Sequence, residues 1–428
     1  MFSRYFKIKQ KYNSSATIES ILKSMKQKIA NLLPAFDLKN IRIFYFLTAF
    51  TSFWFLAANW LFFWLKFMNY QQLGIIDAIT FGAGLLMEIP SGAISDLVGK
   101  KKTIVLGTGT AFFSIILMAS AQNIYMLFIA QLFLVLGWAL NSGSLEALVY
   151  DSLLEKGREK EYEKVMSVSS SLASFITIGA IFIGGFLYEF YFRLPTFAWG
   201  ITWGIAFLLA LKLREPKIDS EVFSWSNYWK QLKTGTLALL KPELISFSVV
   251  IFSLMGGYFL YDFGFLKPAL ATAFGFNVFQ QSSLFAFLAL VGASVVLLVP
   301  WLRKRITDRK GLYLLTFMLG TGFVIAYFFN NWLGIISLLL IDISGYLVYP
   351  WISVVINQEI ESKHRATSLS AVALLSKVPY VFLSIIAGTM ANNSEIGIFS
   401  WWIGIFILSS VIISTLIYKI GNKKSRLV

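Results

Sequence analysis

An all-α membrane protein of twelve transmembrane helices, built as two six-helix pseudo-repeats, is the fold class this sequence predicts. Three observations carry that expectation. Only 14% of the 428 residues are charged and 57% are apolar, with a mean hydropathy of +0.70, whereas soluble domains carry about a quarter charged residues. Apolar stretches of about twenty residues, the length a helix needs to cross ~30 Å of hydrocarbon, recur along the whole chain. Finally, 33 of the 37 lysines and arginines lie before the first stretch, after the last, or in alternate connections.

The elements follow in order. Residues 1–40 form an N-terminal cytoplasmic segment in which Ile18, Ile21, Leu22, Met25, Ile29 and Leu32 share one helical face, opposite Lys23, Lys26 and Lys28. That pattern predicts a helix lying on the inner leaflet, with a disordered basic tail as the alternative. No apolar core follows the basic start, so a cleavable signal is excluded. Residues 41–213 hold the first six spans, near 43–66, 73–95, 103–121, 124–148, 165–188 and 195–213. Residues 214–244, with Trp225, Tyr228 and Trp229 among charges, read as a cytoplasmic linker. Residues 245–419 hold the second six, near 246–267, 281–301, 311–329, 333–354, 366–389 and 396–418, and 420–428 form a cytoplasmic tail. Strands are excluded because an open sheet edge cannot lie in lipid. The basic bias puts both termini in the cytoplasm and leaves Lys66, Arg193 and Lys267 near the outer side.

The two groups of six resemble each other. Asp96-Leu97-Val98-Gly99 after span two parallels Asp308-Arg309-Lys310-Gly311 after span eight, 212 residues on, and the starts of spans five and eleven match at an offset of 201. Duplication of this kind underlies transporters whose halves rock about a central site.

The run Gly92-Ala-Ile-Ser-Asp96-Leu-Val-Gly99-Lys100-Lys101-Lys102 resembles the signature loop of the major facilitator superfamily. The glycines permit close approach and a tight turn, the aspartate suits a helix N-terminus of the other half, and the lysines suit anionic headgroups of the inner leaflet. Glu88-Ile-Pro-Ser and Glu146-Ala-Leu-Val-Tyr150-Asp151 are similar to bacterial members. The resemblance implies twelve helices around a central cavity, in a bacterial inner membrane, and names no substrate. It departs from proton-driven drug exporters: no Lys or Arg lies between Lys102 and Lys156, and Ala180-Ile181 precedes Gly184-Gly185.

Ionisable residues inside the membrane are costly and mark functional candidates. These are Asp77 with Lys66 as a partner, Asp262 on a face with Tyr258, Asp342 on a face with Tyr346 and Tyr349, and Lys377. Counting depth from the span ends puts Asp342 and Lys377 at one level and predicts an ion pair. Two polar stripes accompany them: Ser52, Asn59 and Lys66 in span one, and Gln131, Trp138 and Ser142 in span four. Packing of the bundle is the alternative role for such uncharged groups.

A lone His364 among loop charges, no cysteine, and no glycine-rich phosphate loop argue against an enzyme, a metal site, a cofactor or ATP driving. The basic surplus of +15 belongs to the membrane surface and not to nucleic acid. The expectation is a secondary transporter of a small organic solute, ion-coupled through a proton, with export (efflux) favoured. Uptake of a nutrient and a transport-inactive scaffold or sensor are the alternatives. Oligomeric state is open, and a monomer suffices.

Overall fold

Helix breaks, rather than helix lengths, set the architecture. The computed structural model describes residues 32–217, 245–359 and 362–424, with three isolated positions in the connection between the halves. Side chains at 88–94, 96–97, 356–359, 362–371, 373 and 421–424 fall outside that description. Residues 1–31 of the segment expected at 1–40, most of the 214–244 linker, and the side chains of Gly92 and Asp96 lie outside the described residues.

Among the described residues there are sixteen α-helices, which group into twelve crossing segments. The first half comprises α1 (Lys39–Thr51) with α2 (Trp60–Trp64), α3 (Tyr70–Val98), α4 (Lys100–Ala119), α5 (Ile124–Asn141) with α6 (Ser144–Leu154), α7 (Tyr162–Phe190) and α8 (Leu194–Ala210). The second comprises α9 (Ile245–Asp262) with α10 (Leu266–Ala273), α11 (Val278–Val296) with α12 (Val299–Arg303), α13 (Asp308–Ala326), α14 (Ile335–Glu359), α15 (Ser362–Asn392) and α16 (Ile396–Lys424). Among the described residues, eight helical stretches are long and apolar enough to cross a bilayer by themselves. The other four segments are the broken first one, α3, the 17-residue α8 and α13, whose first turn carries Asp308, Arg309 and Lys310.

The repeat is real but offset differently from the D-x-x-G match. Asn69 and Asn277 each cap a helix through the same reciprocal box with Gln72 and Gln280, and the Asn123 and Asn331 side chains each accept a hydrogen bond from a backbone amide of the turn that follows, those of Met126 and Leu333. Both pairs stand 208 residues apart in the chain, as do the helix starts Lys100 and Asp308. Asp96 lies near the end of α3, whereas Asp308 opens α13, so the two D-x-x-G strings occupy different places in their halves.

The first and seventh segments break at equivalent points, between Thr51 and Trp60 and between Asp262 and Leu266. The first break lets backbone meet backbone: a Cβ on Gly184 would stand 1.8 Å from the Phe55 carbonyl oxygen. Gly143, at φ +74°, breaks the fourth segment, a conformation that glycine adopts without a Cβ penalty.

The halves meet through α3 against α15 and α7 against α11. Small residues bring them together: a Cβ on Gly74 would lie 2.4 Å from the Ser384 carbonyl and one on Gly185 would lie 2.3 Å from Ser282 Cβ. The Tyr70–Phe265 and Phe182–Phe279 ring pairs, at 6.5 and 6.0 Å, bridge the halves at the same end. These contacts cluster at the end of the bundle opposite Gly99, and between the halves a cavity of about 640 Å³ runs from Trp54 and Trp60 down to Ser170 and Leu297.

Candidate functional site

Each half contributes one chemically distinct wall to the interior. In the second half, the break after Asp262 turns the chain so that α10 carries Lys267 into the bundle, where only 8% of it stays exposed. Its ammonium lies 2.8 Å from Asp342 Oδ1 and 3.5 Å from Asp262 Oδ1, and Tyr261 Oη donates to Asp342 Oδ2 at 2.9 Å. The rings of Phe285 and Tyr261 sit 5.0 and 5.4 Å from the same ammonium. Such a network is tolerable in a low-dielectric interior because every charge has an opposite partner. Asp342 is 1% exposed, while Asp262, Lys267 and Tyr346 line the central cavity.

The expected Asp342–Lys377 pair is therefore replaced by Asp342–Lys267. Equal depth said nothing of rotation about each axis, and the break in the seventh segment supplied a nearer cation. Lys267 was missed because a continuous helix would have put it at the membrane surface. The Asp262-to-Lys267 spacing followed by Pro268 was the available signal for a break. Tyr349, expected to share the face of Asp342, is 61% exposed and points away.

In the first half, Asp77 on α3 accepts a hydrogen bond from Tyr380 Oη on α15, across the halves. Lys66, its expected partner, is exposed at the bundle end. Phe81 packs against Phe259, Phe263 and Tyr380 with ring centroids at 5.2, 5.2 and 4.8 Å. Gln131, Trp138 and Ser142 line a cavity of about 170 Å³ together with Asp77 and Lys377. A chamber of about 70 Å³ adjoins it, sharing Asp77, Gln131, Trp138 and Phe263 and adding Trp54, Trp60, Trp64 and Trp199.

Asn59 is not among the residues that wall these cavities, where the heptad stripe implied it. The stripe assumed an unbroken helix, but residues 52–59 form turns, and the buried Asn59 donates to the Phe55 carbonyl at 3.1 Å. Asn59 and Lys267 stand 208 residues apart, so the same position is a neutral amide in one half and an ammonium in the other.

The signature loop is held from an unexpected side. Gly99, at φ +102°, turns the chain between α3 and α4. The Lys100 and Lys101 amides donate to the two carboxylate oxygens of Glu215, both at 2.8 Å. A carboxylate across the first amides of a helix satisfies donors that have no partner within the helix and complements its dipole. Glu215 lies where the linker leaves this half, and Asn40 clamps the adjoining Arg214 backbone by 2.8 and 3.0 Å hydrogen bonds. Lys100 is not a headgroup ligand: its side chain is buried and pairs with Asp151 at the end of the fourth segment. Lys102 is exposed and Lys101 partly so.

Sequence and fold comparisons agree with this architecture. The model of the Major Facilitator Superfamily matches residues 42–384. An uncharacterized MFS-type transporter of Bacillus subtilis (strain 168), YxaM, is 23% identical over 373 residues, covering 83% of this chain and 90% of that protein. Among solved structures, the nucleoside transporter NupG superposes with a TM-score of 0.72 at 11% identity, covering 90% of this chain and 99% of that one. The POT family transporter PepTSo superposes with a TM-score of 0.71 at 10% identity, over 90% and 99% of the two chains. With two six-helix groups facing one cavity and a family match over most of its length, this chain belongs to the Major Facilitator Superfamily and is an integral membrane transporter of a small molecule, not an enzyme.

Proposed function

We propose that the protein is a secondary active transporter that carries a small organic solute by alternating access, coupled to protons, with export favoured over uptake. The observation that carries this reading is the central cavity, walled by Trp54 and Trp60 from one half and by Asp262, Lys267 and Tyr346 from the other. A site shared by two rigid halves is what rocking exposes alternately to the two sides. The contacts at one end, Asp77–Tyr380 among them, close that end, and the cavity continues toward the other. On the basic-residue bias, the open end is the cytoplasmic one and both termini are cytoplasmic in a bacterial plasma membrane.

Asp262 is the group through which protons are coupled in this reading. It is 46% exposed at its side chain and shares Lys267 with the buried Asp342. Protonating Asp262 leaves Lys267 paired with Asp342 alone, so the carboxylate can exchange a proton without stranding the ammonium. Aromatic walls favour an amphipathic cargo and hence export. Uptake of a polar nutrient is the second reading, favoured by Ser170, Ser171, Ser174 and Tyr346 on the same cavity.

The test is flux from a panel of solutes in proteoliposomes under imposed proton or sodium gradients. Proton-driven accumulation of a solute, reduced at least tenfold by Asp262→Asn, supports the reading. Flux that ignores both gradients removes the coupling, and no flux for any solute removes the transporter. Reporter fusions at Glu155, Lys310 and the C-terminus should all report cytoplasm, and one reporting the other side would overturn the orientation.

A further inference from the structure

The chamber beside Asp77 differs in chemistry from the rest of the interior. Five of the 13 tryptophans, Trp54, Trp60, Trp64, Trp138 and Trp199, wall it around a single carboxylate. Trp54 and Trp138 lie 6.3 and 6.5 Å from Trp199 with their planes inclined by 33° and 58°, so the rings are not stacked on one another. Indole faces are the strongest aromatic partners for a cation, and cages of such faces recognise quaternary ammonium groups. The Asp77 carboxylate has a neutral phenol, Tyr380, as its described contact. A carboxylate held among apolar rings gains most from a positive charge placed beside it.

The geometry points to a small organic cation, a quaternary or protonated amine of about the size of choline, as the cargo of this chamber and the cavity that adjoins it. This rests on the transporter reading above and narrows its substrate class. The two adjoining cavities, about 70 and 170 Å³, are smaller than the ~300–1,000 Å³ that drug-sized ligands occupy. Trp199 Nε1 is buried without a hydrogen-bond partner and offers a donor to a hydroxyl on the cargo.

Lys377 lines the larger cavity but at its far end. A Cβ on Gly74 meets Gly388 at 3.0 Å and one on Gly82 meets Val381 at 3.7 Å. That antiparallel register sets the Lys377 backbone beside that of Leu85, about two helical turns along the helix from the backbone of Asp77. The ammonium of the cargo is therefore drawn to the tryptophan end.

The test compares choline with 3,3-dimethylbutan-1-ol, which has the same shape with carbon in place of nitrogen. Full-length protein in liposomes is titrated with each, reading tryptophan fluorescence and displacement of labelled choline. The expected result is choline binding at least tenfold tighter than the neutral alcohol, about 1.4 kcal/mol. Asp77→Asn should abolish that preference and Asp77→Glu should keep it. The comparison on the unmodified protein stands even if the asparagine variant does not fold. Equal affinity, tighter binding of the alcohol, or no saturable choline binding would overturn the proposal. Gradient-driven flux of a neutral or anionic solute without choline binding rejects the cation site and keeps the transporter. Choline binding without flux of any solute supports the site and rejects the transporter.

Discussion

Tyr380 on α15 donates its phenolic hydrogen to the Asp77 carboxylate on α3, and this bond joins the two halves at the end of the bundle where they touch. The pair sits behind the Gly74–Gly388 approach and the Phe81 ring cluster, so opening that end has to break it. A hydrogen bond to a charged group contributes about 1.5–3 kcal/mol.

Tyr380→Phe should therefore shift the resting population toward the state open at that end by roughly tenfold or more. Leu73, buried between this pair and the bundle end, reports the shift. A cysteine at 73 in the cysteine-free chain should react correspondingly faster with a membrane-impermeant thiol reagent. An unchanged rate would mean the bond does not hold the closed state.

The Lys267–Asp342 pair makes an asymmetric prediction. Lys267→Met alone leaves Asp342 buried at 1% exposure with the Tyr261 hydroxyl but no opposite charge, and removing one partner of a buried pair costs about 3–5 kcal/mol. Combining it with Asp342→Leu should restore most of the thermal stability while proton-driven flux stays lost. A double variant as unstable as the single one would show that the site needs the charges for folding.

Glu215 ties the linker to the signature loop, and Glu215→Gln keeps its size while removing its charge. A carboxylate at a helix N-terminus contributes about 0.3–1 kcal/mol. Hydrogen exchange at the Lys100 and Lys101 amides should rise by about two- to fivefold, with slower transport. Unaltered exchange would show that the Glu215 charge plays no part in holding these amides.

Gly184 and Gly179 lie on the same helix and separate packing from propensity. A Cβ at Gly184 would collide with the Phe55 carbonyl, whereas nothing stands within 4 Å at Gly179. Gly184→Ala should cost about 1–3 kcal/mol through overpacking, and Gly179→Ala should be neutral or stabilising through helix propensity. Melting temperatures of the two variants give the comparison.

Much of the fold was legible because bilayer thickness fixes helix length, so hydropathy alone located twelve segments. The breaks were not legible, and they decided the site. A heptad stripe through Ser52, Asn59 and Lys66 presumes continuous helix, and the chain instead turns on Phe55, packed against Gly184. The same kind of break in the seventh segment carried Lys267 from an expected surface position into contact with Asp342. The repeat was written most clearly in the Asn-x-x-Gln caps at 69 and 277, short polar strings that hydropathy averages away. Gln131 and Trp138 were nameable because a polar stripe on an unbroken helix does face inward, and Asp77 because a charge inside the membrane is costly. Glu215 was invisible because its partners are backbone amides 115 and 114 residues away.

Alternating access is tested most directly by two distances between the halves in the same protein. Spin labels at Gln122 and Asn330 report the end where the halves touch, and labels at Glu155 and Lys304 report the end where the cavity opens; all four residues are exposed. Pulsed electron resonance under conditions that drive transport should show the first distance lengthening as the second shortens. Distances that change together, or that both stay fixed while flux proceeds, would contradict the rocking of two halves about a central site.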